Sequence, residues 1–343
     1  MSMNSNELKT YERQIALSEI GIDGQLKLKA ASILVIGAGG LGCPVLLYLV
    51  AAGIGKIGVV DDDTVDVSNL HRQILFHTAD LGNSKSETAV KKLQLLNPNA
   101  VLKAYHLRVI QNNAKELLEA YDLIIDGSDN FSTRYLINDT CMLLNKPFIS
   151  GSIFKFEGQI SIFNYQGGPD YRSLYPEAPV DAPNCGESGV LGTLPGTIGT
   201  LMANEAIKLI CGFGDILSGK LLIYNALDNS SVILNLAKAA AKTEQVKASE
   251  DYPVLDPKVF NEWKNNNEDL YLIDVREAYE FEEYNIGGTN IPLHNLGSPI
   301  ETITGQTKII LCCTSGLRSK IAYRLLKDKI SQEIYLLNLN DFD

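Results

Sequence analysis

Apolar and polar positions fall into blocks along this chain, and the character of the blocks changes near residue 157 and again near residue 238. In the first part, short β-branched runs alternate with longer amphipathic ones. Residues 32–36, 57–60, 101–109, 121–126 and 147–149 read as strands; residues 7–30, 43–52, 84–96, 112–119 and 131–145 read as helices. Near-continuous apolar strands separated by helices build a right-handed, doubly wound, parallel sheet. From Glu157 the period becomes two, and 159–165 predicts a half-exposed antiparallel strand. A long loop over 167–192 follows, then an apolar helix over 197–209 and two strands within 220–236 about the turn Asp228-Asn229. Residues 238–252 carry no core-forming pattern and read as a linker. Beyond it, 271–275 and 308–312 are buried strands, the second running into a tight loop and a helix. The expected fold is α/β: a doubly wound, mostly parallel sheet with an antiparallel extension over 1–237, and a small α/β domain over 253–343.

Composition changes little in that picture. With 343 residues the chain can support two cores, and 45% hydrophobic against 21% charged residues is ordinary for a globular protein. A net charge of -11 argues against nucleic acid and acidic membrane surfaces as partners. The longest apolar run, 41–54, is too short to span a bilayer, and the polar N-terminus shows no signal-peptide core. Six cysteines (43, 141, 185, 211, 312, 313) lack any C-x-x-C spacing, the usage of a reducing, cytoplasmic compartment.

The first strand runs straight into Gly37-Ala38-Gly39-Gly40-Leu41-Gly42 and then a helical pattern, a Rossmann-like G-x-G-x-x-G turn. Glycines there let the backbone approach a phosphate, and the following helix offers free N–H groups. Asp61 closes the next strand, where a ribose hydroxyl is normally held. Dehydrogenases, methyltransferases and adenylating enzymes share this pattern, so the turn alone leaves the nucleotide open. The charges around it are more selective: Asp61, Asp63, Asn69, Arg72, Lys85, Asp126 and Asp129 are all expected at the carboxyl edge of the sheet. Hydride transfer needs few charges near its reacting carbon. Attack on phosphorus needs cations for the spreading negative charge and a carboxylate for Mg²⁺.

The first 236 or so residues resemble the MoeB/ThiF family, bacterial relatives of ubiquitin-activating enzymes. The motifs that carry the likeness are Arg13-Gln14, the glycine turn, Asp61-x-Asp63, Ser68-Asn69-Leu70-His71-Arg72-Gln73, Lys85, and Asp126-x-x-Asp129-Asn130. The resemblance implies a homodimer that uses ATP and Mg²⁺ to adenylate the C-terminal glycine of a small ubiquitin-like sulfur carrier. By the same resemblance Asp61 holds the ribose and Gly40 the phosphates, within a site formed by Gly37, Gly39, Gly42, Asp63, Ser68–Arg72, Lys85 and Asn130. Asn69, Arg72 and Lys85 steady the phosphates, Asp129 binds the metal, and Arg13 reaches into the partner's site.

Relatives carry two C-x-x-C pairs for a structural zinc. Here Asp170-Tyr171-Arg172-Ser173 stands in the first place and no second pair exists, so no zinc is expected and packing must hold that region. Cys185 matches a cysteine near the adenylate in relatives; it is either a covalent acceptor of the carrier's glycine or a bystander thiol. Cys43, Cys141 and Cys211 sit in apolar helical patterns and read as core, and the four histidines show no metal-ligand spacing.

A strand ending in Cys313, followed by Thr314–Ser319 and a helix, is a device for lowering a thiol pKa, with Arg318 as an anion partner. Cys312, facing the other way, reads as core. Residues 253–343 resemble the rhodanese sulfurtransferases through 272–277, 279–281, 285–292 and this loop. Related phosphatases place five residues between cysteine and arginine; the four here favour a sulfur atom over phosphate. Asp274 and Arg276 read as a structural ion pair, and 338–343 stands where a Gly-Gly turn and last helix are expected. Together the likenesses imply carrier adenylation followed by delivery of persulfide sulfur from Cys313, fed by a donor such as a cysteine desulfurase, towards molybdopterin ahead of thiamine or tRNA thiolation. The rivals are an NAD-dependent oxidoreductase, against which Arg72, Lys85 and Asp129 speak, and a non-catalytic carrier-binding scaffold.

Overall fold

The computed structural model describes residues 2–176, 189–236, 252–296 and 308–342, apart from 267, 315, 328 and 331. They divide into two compact units. The first is built on residues 1–173 and 183–240, and the second on 241–343 with the short stretch 174–182. Cys185 and residues 238–251 of the expected linker lie outside the described residues.

The first unit is one eight-stranded sheet in the order β3-β2-β1-β4-β5-β6-β7-β8. Strands β1 (Ser32–Ile36), β2 (Lys56–Val60), β3 (Val101–Tyr105), β4 (Leu123–Asp126) and β5 (Phe148–Phe154) run parallel; β6 (Glu157–Phe163), β7 (Lys220–Asn225) and β8 (Ser230–Asn235) extend it antiparallel. β1 and β4 are apolar almost throughout and buried because helices cover both faces. The expected helix over 7–30 is three pieces, α1 (Ser5–Thr10), α2 (Glu12–Ile15) and α3 (Gly21–Ala30). It breaks where Gly21 adopts φ +55°, which a continuing helix cannot accommodate. The third strand stops at Tyr105, four residues early, because its partner β2 ends opposite at Val60.

Helices α4 (Gly42–Ala52), α5 (Lys85–Leu96), α6 (Gln111–Glu119) and α7 (Phe131–Leu144) are the crossovers, with a short α8 (Tyr171–Leu174) and the long α9 (Thr193–Cys211) after the sheet turns. β6 is buried nearly throughout instead of half-exposed. On one side α9 presses in, so that a Cβ on Gly151 would lie 2.3 Å from Met202 and one on Gly158 would lie 2.2 Å from Ile198. On the other, Phe163 packs on Phe148 and Tyr171 at 5.3 and 5.5 Å between ring centres.

Asp170–Ser173, where packing alone is expected to hold the chain, is held by more than packing. Arg172 makes a two-pronged pair with Asp139 at 2.7 Å for each prong, and lies over the Tyr135 ring. Tyr171 N donates to buried Asn138 Oδ1.

The second unit has four parallel strands in the order β10-β9-β11-β12: β9 (Leu270–Asp274), β10 (Thr289–Asn290), β11 (Lys308–Cys313) and β12 (Glu333–Asn338). Helices α10 (Pro257–Asn265), α11 (Ala278–Glu283) and α12 (Leu317–Leu326) accompany it, and 339–342 close as a 3₁₀ turn. Phe260, Ile310, Cys312, Leu337 and Leu339 form part of its own core.

Candidate active sites

In the first unit the strand order reverses between β1 and β4, the point at which open α/β sheets bind ligands. A cleft of about 340 Å³ opens there, a small-molecule size. Its floor is the glycine turn, and each glycine has a different reason to be one. Gly37 adopts φ +93°, and a Cβ there would lie 2.7 Å from Gly127 O at the end of β4. A Cβ on Gly42 would lie 1.9 Å from Gly37 O, so this residue lets α4 start against the strand. Gly39 is different: nothing comes closer to its missing side chain than the Gln73 amide nitrogen at 3.7 Å. The chain itself leaves room for a side chain at 39, so this glycine presents an open face to the cleft.

Around this floor the structure gathers most of the expected charges. Asp61 Oδ2 accepts from Ala38 N at 2.7 Å and Oδ1 from Asp63 N at 2.9 Å, which ties the end of β2 to the turn. Burial raises the Asp61 carboxyl above its ordinary value, against the pull of those two N–H groups and of Lys85. Lys85, itself buried, donates to Asp63 Oδ2 at 2.9 Å. Arg72 Nη2 donates to Asn69 Oδ1 at 2.6 Å, and its Nη1 to Ser68 O at 3.3 Å. Asp129 is exposed at the rim, and among the described residues no donor engages its carboxylate. Asn130 caps α7 by accepting from Thr133 N at 2.9 Å.

Other expected residues are not in the cleft. Asp126 turns inward: it is fully buried and accepts from Ser128 N, Ser128 Oγ and Ser150 Oγ, shaping the turn that carries Asp129. Ser68, Leu70 and His71 do not line it; Ser68 donates to Asp66, His71 Nδ1 contacts Ser68 O, and Leu70 packs on the core. Arg13 is exposed on α2, whose neighbour Gln14 donates to Ala52 O at the far end of α4. An eleven-residue helix is about 16 Å long, so Arg13 stands well away from its own chain's glycine turn. Several lining residues escaped the sequence reading, Arg108 and Lys155 among them, and two lie in or beside its motifs. Arg134, one turn into α7, is buried and donates to Ser128 O at 2.6 Å; its helical spacing from the Asn130 cap was the available signal. Gln73, at the end of the Ser68–Gln73 motif, is the other.

In the second unit Cys313 ends β11 with 1% of its surface exposed. Ser319 N, in the first turn of α12, donates to its sulfur at 3.4 Å, and the thiol reaches Ser319 Oγ at 3.5 Å. Gly316, at φ +73°, lets the loop double back. The N-terminal turn of α12 therefore faces the sulfur. Arg318 closes a two-pronged pair with buried Glu280 at 2.6 and 2.9 Å. Asp274 and Arg276 form the expected buried pair, joined at 2.6 Å. Burial and the Asp274 carboxylate push the Cys312 thiol up, so it is an inert core residue. Burial raises Cys43 to about 12 and raises Cys141 and Cys211 as well.

A model of the ThiF family matches residues 11–248, and one of the rhodanese-like domain matches 256–339. The chain belongs to the ThiF family. It is similar to the probable adenylyltransferase/sulfurtransferase MoeZ of Mycobacterium tuberculosis, 39% identical over 95% of this chain and 90% of that one. It is 50% identical to the sulfur carrier protein adenylyltransferase of Thermus thermophilus, over 67% of this chain and 88% of that protein. Escherichia coli MccB solved with ATP shares the fold, with a TM-score of 0.60 at 22% identity over 70% of this chain and 74% of that one. With both domains present, this ThiF-family chain is an adenylyltransferase carrying a rhodanese-like sulfurtransferase domain, and the family implies ATP as the cosubstrate. The residues fit that group: an open glycine face, cations that include Arg72 and Lys85, and the Asp129 carboxylate at the rim. Among the described residues no cluster of three or more His, Cys, Asp or Glu could hold a metal, and no helix is long and apolar enough to cross a membrane.

Proposed function

We propose that the first unit adenylates the C-terminal glycine of a small ubiquitin-like sulfur carrier ending in Gly-Gly, and that the second unit supplies the sulfur. The observation that carries this is the meeting of Lys85, Arg72 and the unengaged Asp129 carboxylate above one glycine turn. A hydride-transfer site has no use for that set, whereas displacement at phosphorus needs cations and a metal-holding carboxylate. Asp61 holds the ribose, Gly39 and Gly40 face the phosphates, Asn69, Arg72 and Lys85 steady them, and Asp129 would hold a Mg²⁺ that supplies further positive charge. A carrier carboxylate oxygen attacks the α-phosphorus, pyrophosphate leaves, and an acyl-adenylate results.

Cys313 carries the sulfur as a persulfide. Its outer sulfur attacks the acyl carbon and AMP leaves, giving an acyl disulfide. An external thiol then attacks the Cys313 sulfur, which releases the thiocarboxylate and leaves a disulfide. A second equivalent of that thiol reduces the disulfide to free Cys313, and a cysteine desulfurase-type donor then reloads it. The chain works as a cytoplasmic homodimer in which Arg13 serves the partner's cleft, its domains are 1–237 and 253–343 joined by 238–252, and molybdopterin assembly is the pathway favoured over thiamine or tRNA thiolation. No structural zinc is needed, because Arg172–Asp139 and Tyr171 pin the segment where its ligands would lie.

Carrier-dependent ATP–pyrophosphate exchange, insensitive to NAD, is the test. Asp129→Ala should abolish exchange while carrier binding persists. Unchanged exchange in that variant would overturn the assignment, and stoichiometric zinc in the purified protein would overturn the zinc-free reading.

A further inference from the structure

Gln73 is 4% exposed, yet among the described residues its side chain has no hydrogen-bond partner. Its Oε1 is sealed from solvent with nothing donating to it, and its Nε2 sits beside the bare face of Gly39. The backbone on either side is fixed: Gln73 N donates to Asn69 O at 2.9 Å, and Phe76 N donates to Gln73 O at 3.0 Å. Leu75 and Phe76 anchor the segment in the core. A buried amide with unmet hydrogen-bonding capacity destabilises a fold by about 1–3 kcal/mol, and an apolar side chain of the same size would remove that penalty. The folded chain alone gives no reason for a glutamine at this position. The cleft gives a use to its donor end, since Nε2 lies at the open Gly39 face of the wall while Oε1 stays sealed behind it.

Its place along the cleft says what it meets. Asp61, bonded to Ala38 N, marks the ribose end, and Gly39 is the next residue along the turn. Arg72, whose Cδ approaches Gly40, lies beyond it. The group next to a ribose 5′ oxygen is the α-phosphoryl group, the one that is attacked. We propose that Gln73 is a substrate-contacting residue of the adenylation site, donating its amide N–H to a non-bridging oxygen of the nucleotide α-phosphoryl group. A neutral donor suits that point, because it follows charge developing on the oxygen without adding to the cations already gathered on Lys85 and Arg72. The proposal rests on the reading of the cleft as a nucleotide site.

The test uses the full chain with AMP and adenosine, which differ only in the α-phosphoryl group, titrated by calorimetry alongside ATP–Mg²⁺. Gln73→Leu should weaken AMP by about tenfold, the loss of one hydrogen bond to a charged group. Adenosine should stay within about twofold and Tm should be unchanged or higher, since the unmet amide is gone. Gln73→Glu should weaken AMP further by like-charge repulsion and again spare adenosine. Equal weakening of both ligands with a lowered Tm would make Gln73 a structural residue and overturn the proposal, as would unaltered AMP binding in both variants. Failure of the unmodified protein to bind AMP or ATP–Mg²⁺ is a separate result that overturns the nucleotide reading itself.

Discussion

The ammonium of Lys85 is buried, and the carboxylate it meets at 2.9 Å, Asp63, is two-thirds exposed. A cation is held inside the cleft by a partner that solvent reaches easily. Such a partner holds the lysine only weakly, because a half-solvated ion pair contributes no more than about 1 kcal/mol. On the proposed reading of the cleft, Lys85 can exchange Asp63 for a phosphate at little cost.

That relationship predicts unequal effects for its two ends. Lys85→Met should lower ATP–pyrophosphate exchange by at least about a hundredfold, the scale of losing a preorganised charge at a transition state. Asp63→Asn should change exchange much less. Equal losses in both variants, measured at saturating ATP, would show that the pair acts as one unit.

Three of the turn's four glycines, Gly37, Gly39 and Gly42, separate by mechanism. Gly37→Ala and Gly42→Ala force a Cβ against backbone oxygen, and the first also strains a positive φ. Each should destabilise by about 2 kcal/mol or more, or roughly 4–8 °C in Tm for a unit of this size. Gly39→Ala should leave Tm within about a degree, because its neighbour lies at ordinary contact distance, and should weaken AMP and ATP binding by at least tenfold. Calorimetric scans with and without nucleotide distinguish the two classes.

Acid should reveal the Arg172–Asp139 pair. The hydrogen bond from Arg172 holds the Asp139 carboxyl below its ordinary value. A carboxyl depressed in the folded state stabilises above its unfolded pKa, near 4, and that stability is lost as pH falls through the lower folded value. Denaturant midpoints of the unmodified chain and Arg172→Met should differ by up to about 1 kcal/mol at pH 7. The gap should close below about pH 4.

In the second unit, Cys313→Ser should abolish sulfur transfer from thiosulfate or a persulfide donor, while carrier adenylation by the first unit continues. Ser319→Ala keeps the N–H at 3.4 Å and removes only the hydroxyl contact, so transfer should fall by about tenfold or less. Activity remaining in Cys313→Ser would remove the rhodanese assignment.

Much of this was legible in the residues. The glycine turn, Asp61, Lys85, Arg72 and Asp129 stand out because buried parallel strands are apolar, so a charge at a strand end is conspicuous. The order of the parallel strands follows from strand–helix alternation. Asp126 misled for the same reason: a strand-end carboxylate looks like a site residue until the hydroxyls of Ser128 and Ser150 turn it inward. The N-terminal helix broke at Gly21, whose positive φ no periodicity discloses. The burial of β6 depended on a helix arriving from more than thirty residues away. Gln73 was quoted within a motif and given no task, because an unmet amide can be seen only when every neighbour is in place.

Arg13 lies by the far end of α4 from the turn it is proposed to serve. If it works only in the neighbouring copy, no single polypeptide owns a whole reaction centre. Chains altered at Arg13 and chains altered at Asp129 would each be dead alone. Mixed and allowed to exchange, half of the dimers pair one of each, and one of their two centres draws both groups intact. Equal amounts of two inactive preparations should then recover about a quarter of full activity, by the symmetry of a two-fold assembly.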